Sequence, residues 1–449
     1  MTQHQRQQGV DLNMHGPPYS WTVNKESREV VLVYPDGDLL RPVPPYSVWL
    51  LATTLVKSGY DPKIIDERLC NGREGFMRMI SEAASRHPLF IGFSCTMSPQ
   101  LSLAESLRPF INSHGYSGPW VVGGAYVSLL PSEIIRNRLL SKSSFQILSH
   151  GHAFETVVDL CQALGGKRDI SSVRGVSYLA ANGEVVRTED RGFPTYLPVP
   201  NYDLIEVEKY IHEEDIYTGS LAKTFSLYTS SGCLYGCKFC LNAAQRKWVG
   251  QSSEEILSQI MYLHSRFGVE YIRLIDDNPL QKPERILKLC RALDRERLDI
   301  KLYMDLPIQI VLSDCFEEIS RRLVKVYVGV ESGSDKLLRL IAKPQNVSQI
   351  KKAVKILDEK GISARYSIIR NLPKEDEDDI RATESLIEWI KANHSNCAFH
   401  ISQYWTPIYG TPLYTEFQND LDENERRLLE SGQIAQSELW ASEKYREVK

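Results

Sequence analysis

The stretch Ser231-Gly-Cys-Leu-Tyr-Gly-Cys-Lys-Phe-Cys240 sets three cysteines, Cys233, Cys237 and Cys240, at C-x3-C-x2-C spacing. It follows the strand-like run TFSLYTSSG, residues 224–232, and precedes a polar loop and the helical pattern SEEILSQIMYLHSRFG, residues 253–268. Thiolates at such intervals on one loop can wrap one face of a metal centre. A closed zinc site needs four ligands, usually as paired Cys or His. The nearest upstream histidine, His212, lies across a strand. Three thiolates suit a [4Fe–4S] cluster with one iron left open to a small molecule, which departs from the usual four-cysteine ligation. Zinc stays open as the alternative.

Outward from this loop, strand and helix patterns alternate. Further strands are expected at VEYIRLIDD (269–277), KLYMDLP (301–307), VKVYVGVES (324–332), ARYSIIRNLP (364–373) and AFHISQYWTP (398–407). Helices are expected at PERILKLCRALDRE (283–296) and SQIKKAVKILDEKG (348–361), the latter closing on Gly361. Six such units imply a partial or complete α/β barrel, with function at the carboxyl ends of its strands. Toward the N-terminus a second alternation runs from Arg28 to Gly165. Strands are expected at REVVLVY, DPKIIDE, LFIGFSC, PWVVGG and FQILSHG, each followed by a helical or loop segment. That pattern is a doubly wound parallel sheet, whose ligands bind beyond the strand ends. Its loops begin at Tyr34, Ser94, Gly123 and His150. Gly123-Gly124 would let backbone approach a ligand closely, and Ser94 and Thr96 could hydrogen-bond one. A tight strand-to-helix turn is the ordinary explanation of the same residues.

The expected organisation is therefore a disordered polar arm over 1–27, a Rossmann-like sheet domain over 28–170, a hairpin and linker over 171–222, a barrel over 223–412, and a helical segment over 413–449. The hairpin would turn at Asn182-Gly183. The chain has 449 residues and a net charge of −4, so no basic field advertises nucleic acid. No apolar run is long enough to span a membrane. The N-terminal arm has no apolar signal core. An odd count of 9 cysteines, most of them scattered through apolar segments, argues against a disulfide framework and for a cytoplasmic protein.

The cysteine spacing, with aromatic Phe239 before the last cysteine, resembles the radical S-adenosylmethionine (SAM) superfamily, and the resemblance implies a radical SAM partial (β/α)6 barrel. It further implies that Cys233, Cys237 and Cys240 hold a [4Fe–4S] cluster. Phe239, Asp276, Asp277, Glu331, Ser332, Ile369 and Leu372, all near strand ends, would contact SAM. Taken singly, Asp276 and Asp277 could be a solvated turn, and Glu331 a helix cap. The preceding parallel domain resembles the cobalamin-binding domain of the B12-dependent class. The matching stretches are Val31–Pro35, Pro44-Pro45, Ile91–Ser94, Val121–Gly124, Pro131-Ser-Glu133 and His150-Gly-His152. Ser94, Thr96, Gly123, Gly124 and His150 would then face cobalamin. The Asp-x-His-x-x-Gly pattern that supplies histidine to cobalt is absent, and so is a G-x-G-x-x-G fingerprint.

This resemblance implies a cobalamin-dependent C-methyltransferase. SAM cleaved at the cluster would give a 5′-deoxyadenosyl radical, and methylcobalamin would deliver a methyl group to an unactivated carbon of a small, secondary-metabolite-type substrate. No catalytic side chain beyond the cofactor ligands is expected. An electron donor such as flavodoxin or ferredoxin is the expected partner, with no nucleic acid and no membrane. The alternatives are a cyclase or rearranging enzyme on the same scaffold, a methylthiotransferase with a second cluster on Cys70, Cys95 and Cys161, and a non-enzymatic cobalamin carrier.

Overall fold

The structure, a computed structural model, describes residues 22–36, 43–96, 98–130, 140, 145–180, 184–215, 221–403, 405 and 407–420. Most of the expected arm, the Pro131-Ser-Glu133 stretch, the Asn182-Gly183 turn and residues 421–449 of the expected helical segment lie outside these. The chain divides into two units, with the change from first to second near residues 194–207.

In the first unit, strands β1 (Glu29–Tyr34), β2 (Asp61–Asp66), β3 (Ile91–Ser94), β4 (Trp120–Gly123) and β5 (Ile147–Ser149) form a parallel sheet in the order 2-1-3-4-5. Alternate residues of β1 serve two cores, because successive side chains of a strand point to opposite faces. Val31 and Val33 pack with Phe76, Ile80, Leu101 and Trp120. Val30 and Leu32 pack with Val48, Leu55, Phe90 and Leu160. Helices Gly72–Ser85 and Ser98–Ser113 supply the first core, and Tyr46–Lys57 and Phe154–Leu164 the second. The order reverses between β1 and β3, so the loops after Tyr34 and Ser94 flank a topological switch point.

The segment expected as hairpin and linker does more than connect. Strands β6 (Val176–Leu179) and β7 (Val185–Arg187) extend the same sheet, β6 antiparallel to β5 and β7 antiparallel to β6. The proline-rich stretch that follows is pinned to the helix Tyr46–Lys57. Trp49 Nε1 donates to the Asn201 carbonyl at 2.8 Å, and the Asn201 amide donates to Thr53 Oγ1 at 2.9 Å.

In the second unit, β8 (His212–Asp215) is an antiparallel edge on β9 (Leu221–Leu227). A two-stranded ribbon, β10 (Ser230–Gly232) with β11 (Trp248–Gly250), brackets the cysteine loop. Then β12 (Tyr271–Leu274), β13 (Lys301–Asp305), β14 (Leu323–Glu331), β15 (Ser363–Ile369) and β16 (Cys397–Ser402) continue in parallel from β9. The order 16-15-14-13-12-9-8 leaves β16 and β8 as edges, so the barrel is partial. Its helices start where their sequences say. Ser252 with Glu255 and Asn346 with Gln349 form capping boxes, and Gly268 closes the helix Ser253–Phe267 in the left-handed region at φ 69°. No helix among the described residues is long and apolar enough to cross a membrane.

Candidate functional site

The cysteine loop leaves β10 and is held in shape by backbone bonds. The Cys240 amide donates to the Cys237 carbonyl at 2.9 Å, and the Lys238 amide to the Ile341 carbonyl at 2.9 Å. The Leu413 amide in turn donates to the Lys238 carbonyl at 3.0 Å, tying the loop to the helix Pro412–Phe417. The Arg246 guanidinium lies against Gly236, in the space a Cβ there would take. The three thiols feel one another's charge. Burial pushes the Cys237 thiol up to about 11 and raises Cys240, while nearby Lys343 pulls both down. Such thiols become thiolates when a cation binds them. Among the described residues no three His, Cys, Asp or Glu side chains converge as on a single metal ion. A cluster accepts thiolates spread around a larger body than a single ion. The donor set and the absence of a fourth cysteine on the loop fit a cluster with one open iron.

Residues that the motif does not include support this loop. Asn278 Nδ2 points at Cys233 Sγ (3.6 Å) and at Gln281 Oε1 (3.1 Å), which also accepts the Leu234 amide at 2.8 Å. Lys343 Nζ donates to Glu331 Oε1 at 2.8 Å and lies 6.0 Å from the Phe239 ring centroid. Ser367 Oγ donates to the other Glu331 oxygen at 3.3 Å. Glu331 sits at φ 67°, on the irregularity where β14 meets β15. A left-handed glutamate is strained, and here the strain turns its carboxylate back over Gly329, where a Cβ would collide with the carboxylate and with Lys343. No local pattern in the sequence marks Lys343, Asn278 or Gln281.

The adjacent acids part company. Asp277 is exposed and accepts the Gly232 amide at 2.7 Å, and among the described residues its other oxygen has no hydrogen-bond partner. Asp276, expected beside it as a SAM contact, is sealed in protein. Its oxygens take the Thr229 amide (2.5 Å), Thr229 Oγ1 (2.6 Å), Ser230 Oγ (2.6 Å) and Arg285 Nη2 (3.3 Å). Burial pushes its pKa up and Arg285 pulls it back. Asp276 is thus an internal strut that joins β10, β12 and the helix Pro283–Arg295.

Two more expected SAM residues are likewise buried. Ser332 is fully buried, with its hydroxyl on Thr383 Oγ1 (3.2 Å) and the Ser334 amide (3.1 Å). Leu372 is only 3% exposed, its side chain already taken up by the core. Ile369 and Phe239 keep partly open surfaces at the strand ends.

At the strand ends of the first unit, Ser94 donates to Ser47 Oγ at 2.8 Å. Gln100 Oε1 accepts the Thr96 amide (2.7 Å) and hydroxyl (2.9 Å), while its Nε2 reaches the Pro35 carbonyl at 2.9 Å. Gln100 therefore clasps the two switch-point loops. Gly124 has a different reason from the one expected. At φ 113° its missing Cβ makes room for the backbone of Cys95, not for a ligand. Gly123 would meet only Ser149, at 3.3–3.4 Å. His150 is buried, its Nε2 on Ser177 Oγ at 2.7 Å, and burial lowers its pKa to about 4, so the ring is neutral. His150 Nδ1 and Ser149 Oγ are buried without partners among the described residues. Two orphaned polar atoms beside a bare glycine fit the polar rim of a large ligand, as cobalamin requires. Cys95 and Cys161 belong to the cores on opposite faces of the sheet, so Cys70, Cys95 and Cys161 form no second cluster site.

Residues 227–387 match the Radical SAM superfamily. The chain is 26% identical over 387 residues to an uncharacterized methyltransferase of Pyrococcus horikoshii, covering 83% of this chain and 78% of that protein. It is 21% identical over 388 residues to the anaerobic magnesium-protoporphyrin IX monomethyl ester cyclase of a Synechocystis strain, covering 82% of this chain and 72% of that protein. Among solved structures, the cobalamin-dependent SAM radical enzyme OxsB, with aqua-cobalamin and SAM bound, matches with a TM-score of 0.71 at 19% identity. That match covers 90% of this chain but 62% of the other, so this chain spans about three-fifths of that protein's length. At this identity the likeness is one of fold.

Proposed function

We propose, from the premise that the chain is a radical SAM protein of the cobalamin-dependent kind, that it methylates an unactivated carbon of a small-molecule substrate. The observation that carries this is the pairing, in one chain, of a three-thiolate loop at the ends of parallel strands with a 2-1-3-4-5 parallel domain whose strand ends are bare or polar. When bound, the cluster with SAM supplies a deoxyadenosyl radical and cobalamin supplies the methyl group.

The chain's own residues have narrower tasks. Cys233, Cys237 and Cys240 ligate the irons, and Asn278 steadies the first of these sulfurs. The free oxygen of Asp277 takes up the amino group of SAM. Glu331, held by Lys343 and Ser367, orients the ribose side of the molecule, while Phe239 and Ile369 give it apolar surface. Ser94, Thr96 and Gly123 line the cobalamin face of the first unit, and Ser149 and His150 offer it their unpaired atoms. A one-electron reductant is required, and flavodoxin or ferredoxin is its proposed source. The dispersed free thiols suit a reducing, cytoplasmic setting.

The test is to incubate reduced, reconstituted protein with methyl-labelled SAM and candidate substrates. Deoxyadenosine and S-adenosylhomocysteine should accumulate in equal amounts with a labelled product. Turnover with deoxyadenosine but without label would move the protein to the second reading, a cyclase, which its similarity to the magnesium-protoporphyrin enzyme favours.

A further inference from the structure

On the sheet face opposite the helices, the second unit carries charged and aromatic side chains that neither the cluster nor SAM employs. Parallel register sets Arg273 beside Tyr303, Tyr303 beside Lys325, Asp305 beside Tyr327, and Tyr327 beside Arg365. The Tyr303 and Tyr327 rings stack at 5.2 Å. The Arg273 guanidinium lies 5.2 Å from the first ring centroid and 5.9 Å from the second. Lys325 is neutralised by Glu214 at 3.4 Å, and Arg365 Nη1 donates to the Tyr327 hydroxyl at 3.0 Å. Arg273 differs from both: among the described residues it makes no hydrogen bond and no ion pair, only the two ring contacts. It remains partly open to solvent, and so does Asp305, two residues beyond Tyr303 and roughly 7 Å further along the strand. The Asp305 carboxylate is open to solvent. Burial raises its pKa to about 6, against the pull of Arg273 and Lys343.

A guanidinium has five donors and forms its strongest bonds, often in pairs, with carboxylate or phosphate oxygens. Clamped against two aromatic faces, Arg273 is fixed in direction and has its N–H edge unclaimed. We propose that the substrate carries an acidic group, carboxylate or phosphate, held by Arg273, and that Asp305 accepts a hydrogen bond from a hydroxyl or amine of the same molecule nearer the strand ends. This rests on the radical SAM assignment of the second unit and adds the substrate's chemical class to it.

The full-length reconstituted protein is treated with phenylglyoxal, with and without inorganic phosphate or acetate, and modification is read by peptide mass spectrometry. Phosphate or acetate should slow modification of Arg273 at least about fivefold, the stronger protector naming the acid. The exposed Arg291, paired with Glu318, should react at an unchanged rate. Equal rates at Arg273 with and without both anions, or equal protection of Arg291, overturn the proposal. In calorimetric titration with the protecting anion, R273Q should bind at least about tenfold more weakly than wild type, with R273K between them. Wild-type binding in R273Q also overturns it. Should R273Q not fold, the protection result on the wild type decides. None of these readouts uses SAM cleavage. Their failure therefore removes the anion site and leaves the methyltransferase reading standing, whereas missing label transfer with intact protection does the reverse.

Discussion

At the strand ends of the second unit, the candidate residues are mostly ionisable side chains gripped by a partner. Asp277 accepts from Gly232, and Glu331 is held by Lys343 and Ser367. At the strand ends of the first unit the candidates are glycines, small hydroxyls and one neutral histidine, and two buried polar atoms have no partner. On the proposed function, the contrast follows from what each place would have to hold. A charged cluster and a sulfonium cofactor need fixed charges, and partly buried charges persist only within networks that compensate them. A large ligand with an amide rim needs close backbone approach and spare hydrogen-bonding atoms.

The contrast breaks first, if it breaks, at the cysteines. Replacing Cys233, Cys237 and Cys240 together by Ala should take anaerobically reconstituted protein from about four irons per chain to none, and deoxyadenosine formation to background. Half the iron or more remaining would place a ligand outside the loop.

Asp276→Ala should cost about 3–5 kcal/mol in denaturant unfolding, because it strands Arg285 as an uncompensated buried charge. Asp277→Ala, which gives up one bond at an exposed site, should cost about 1 kcal/mol yet abolish SAM cleavage. Equal stability losses in the two variants would erase the distinction between strut and ligand.

In the first unit, Gly124→Val should destabilise by about 3 kcal/mol through overlap with Cys95 and a strained φ. Gly123→Val should fold and lose cobalamin retention, seen in the visible spectrum. A Gly123→Val protein that keeps its cobalamin would remove the bare strand end from the binding face.

His150 gives a pH test. Its folded pKa of about 4 lies below the ordinary 6.5, so the unfolded chain binds the proton first as pH falls. Stability should decline between pH 6.5 and 4, by roughly 3 kcal/mol, and then level off. His150→Gln should flatten that slope in thermal melts, and an unchanged slope would mean that the ring is not held neutral.

The smallest effect is expected at Lys343→Met. Leaving Glu331 with the Ser367 hydroxyl but without its cation should weaken SAM binding about tenfold, near 1.4 kcal/mol, with iron content unchanged. A loss of iron would instead tie Lys343 to the thiolates.

The cysteine trio, the two runs of alternating strand and helix, and a helix stop were legible in the chain alone. Each depends on residues close together in sequence: a loop of ten residues from Ser231 to Cys240, and the helix stop at Gly361. What depended on distant neighbours was not legible. Nothing local says which of Asp276 and Asp277 faces inward, because that parity is set by the register of β12 against β9 and by Arg285 on the next helix. Ser332 and Leu372 carry the right residue types at the right strand ends, yet packing consumed them. Gly124 was singled out for close approach to a ligand, but its φ and the nearby Cys95 backbone, visible only in three dimensions, give the reason for the glycine. Lys343, Asn278 and Arg273 belong to no motif and acquire their places only when separate strands and loops come together. The sequence by itself determined that three thiols stand together at C-x3-C-x2-C spacing, since spacing on one loop is a local property. The tertiary structure alone decided which polar side chains remain available to a ligand, because availability is whatever burial and hydrogen bonding to the rest of the chain leave over.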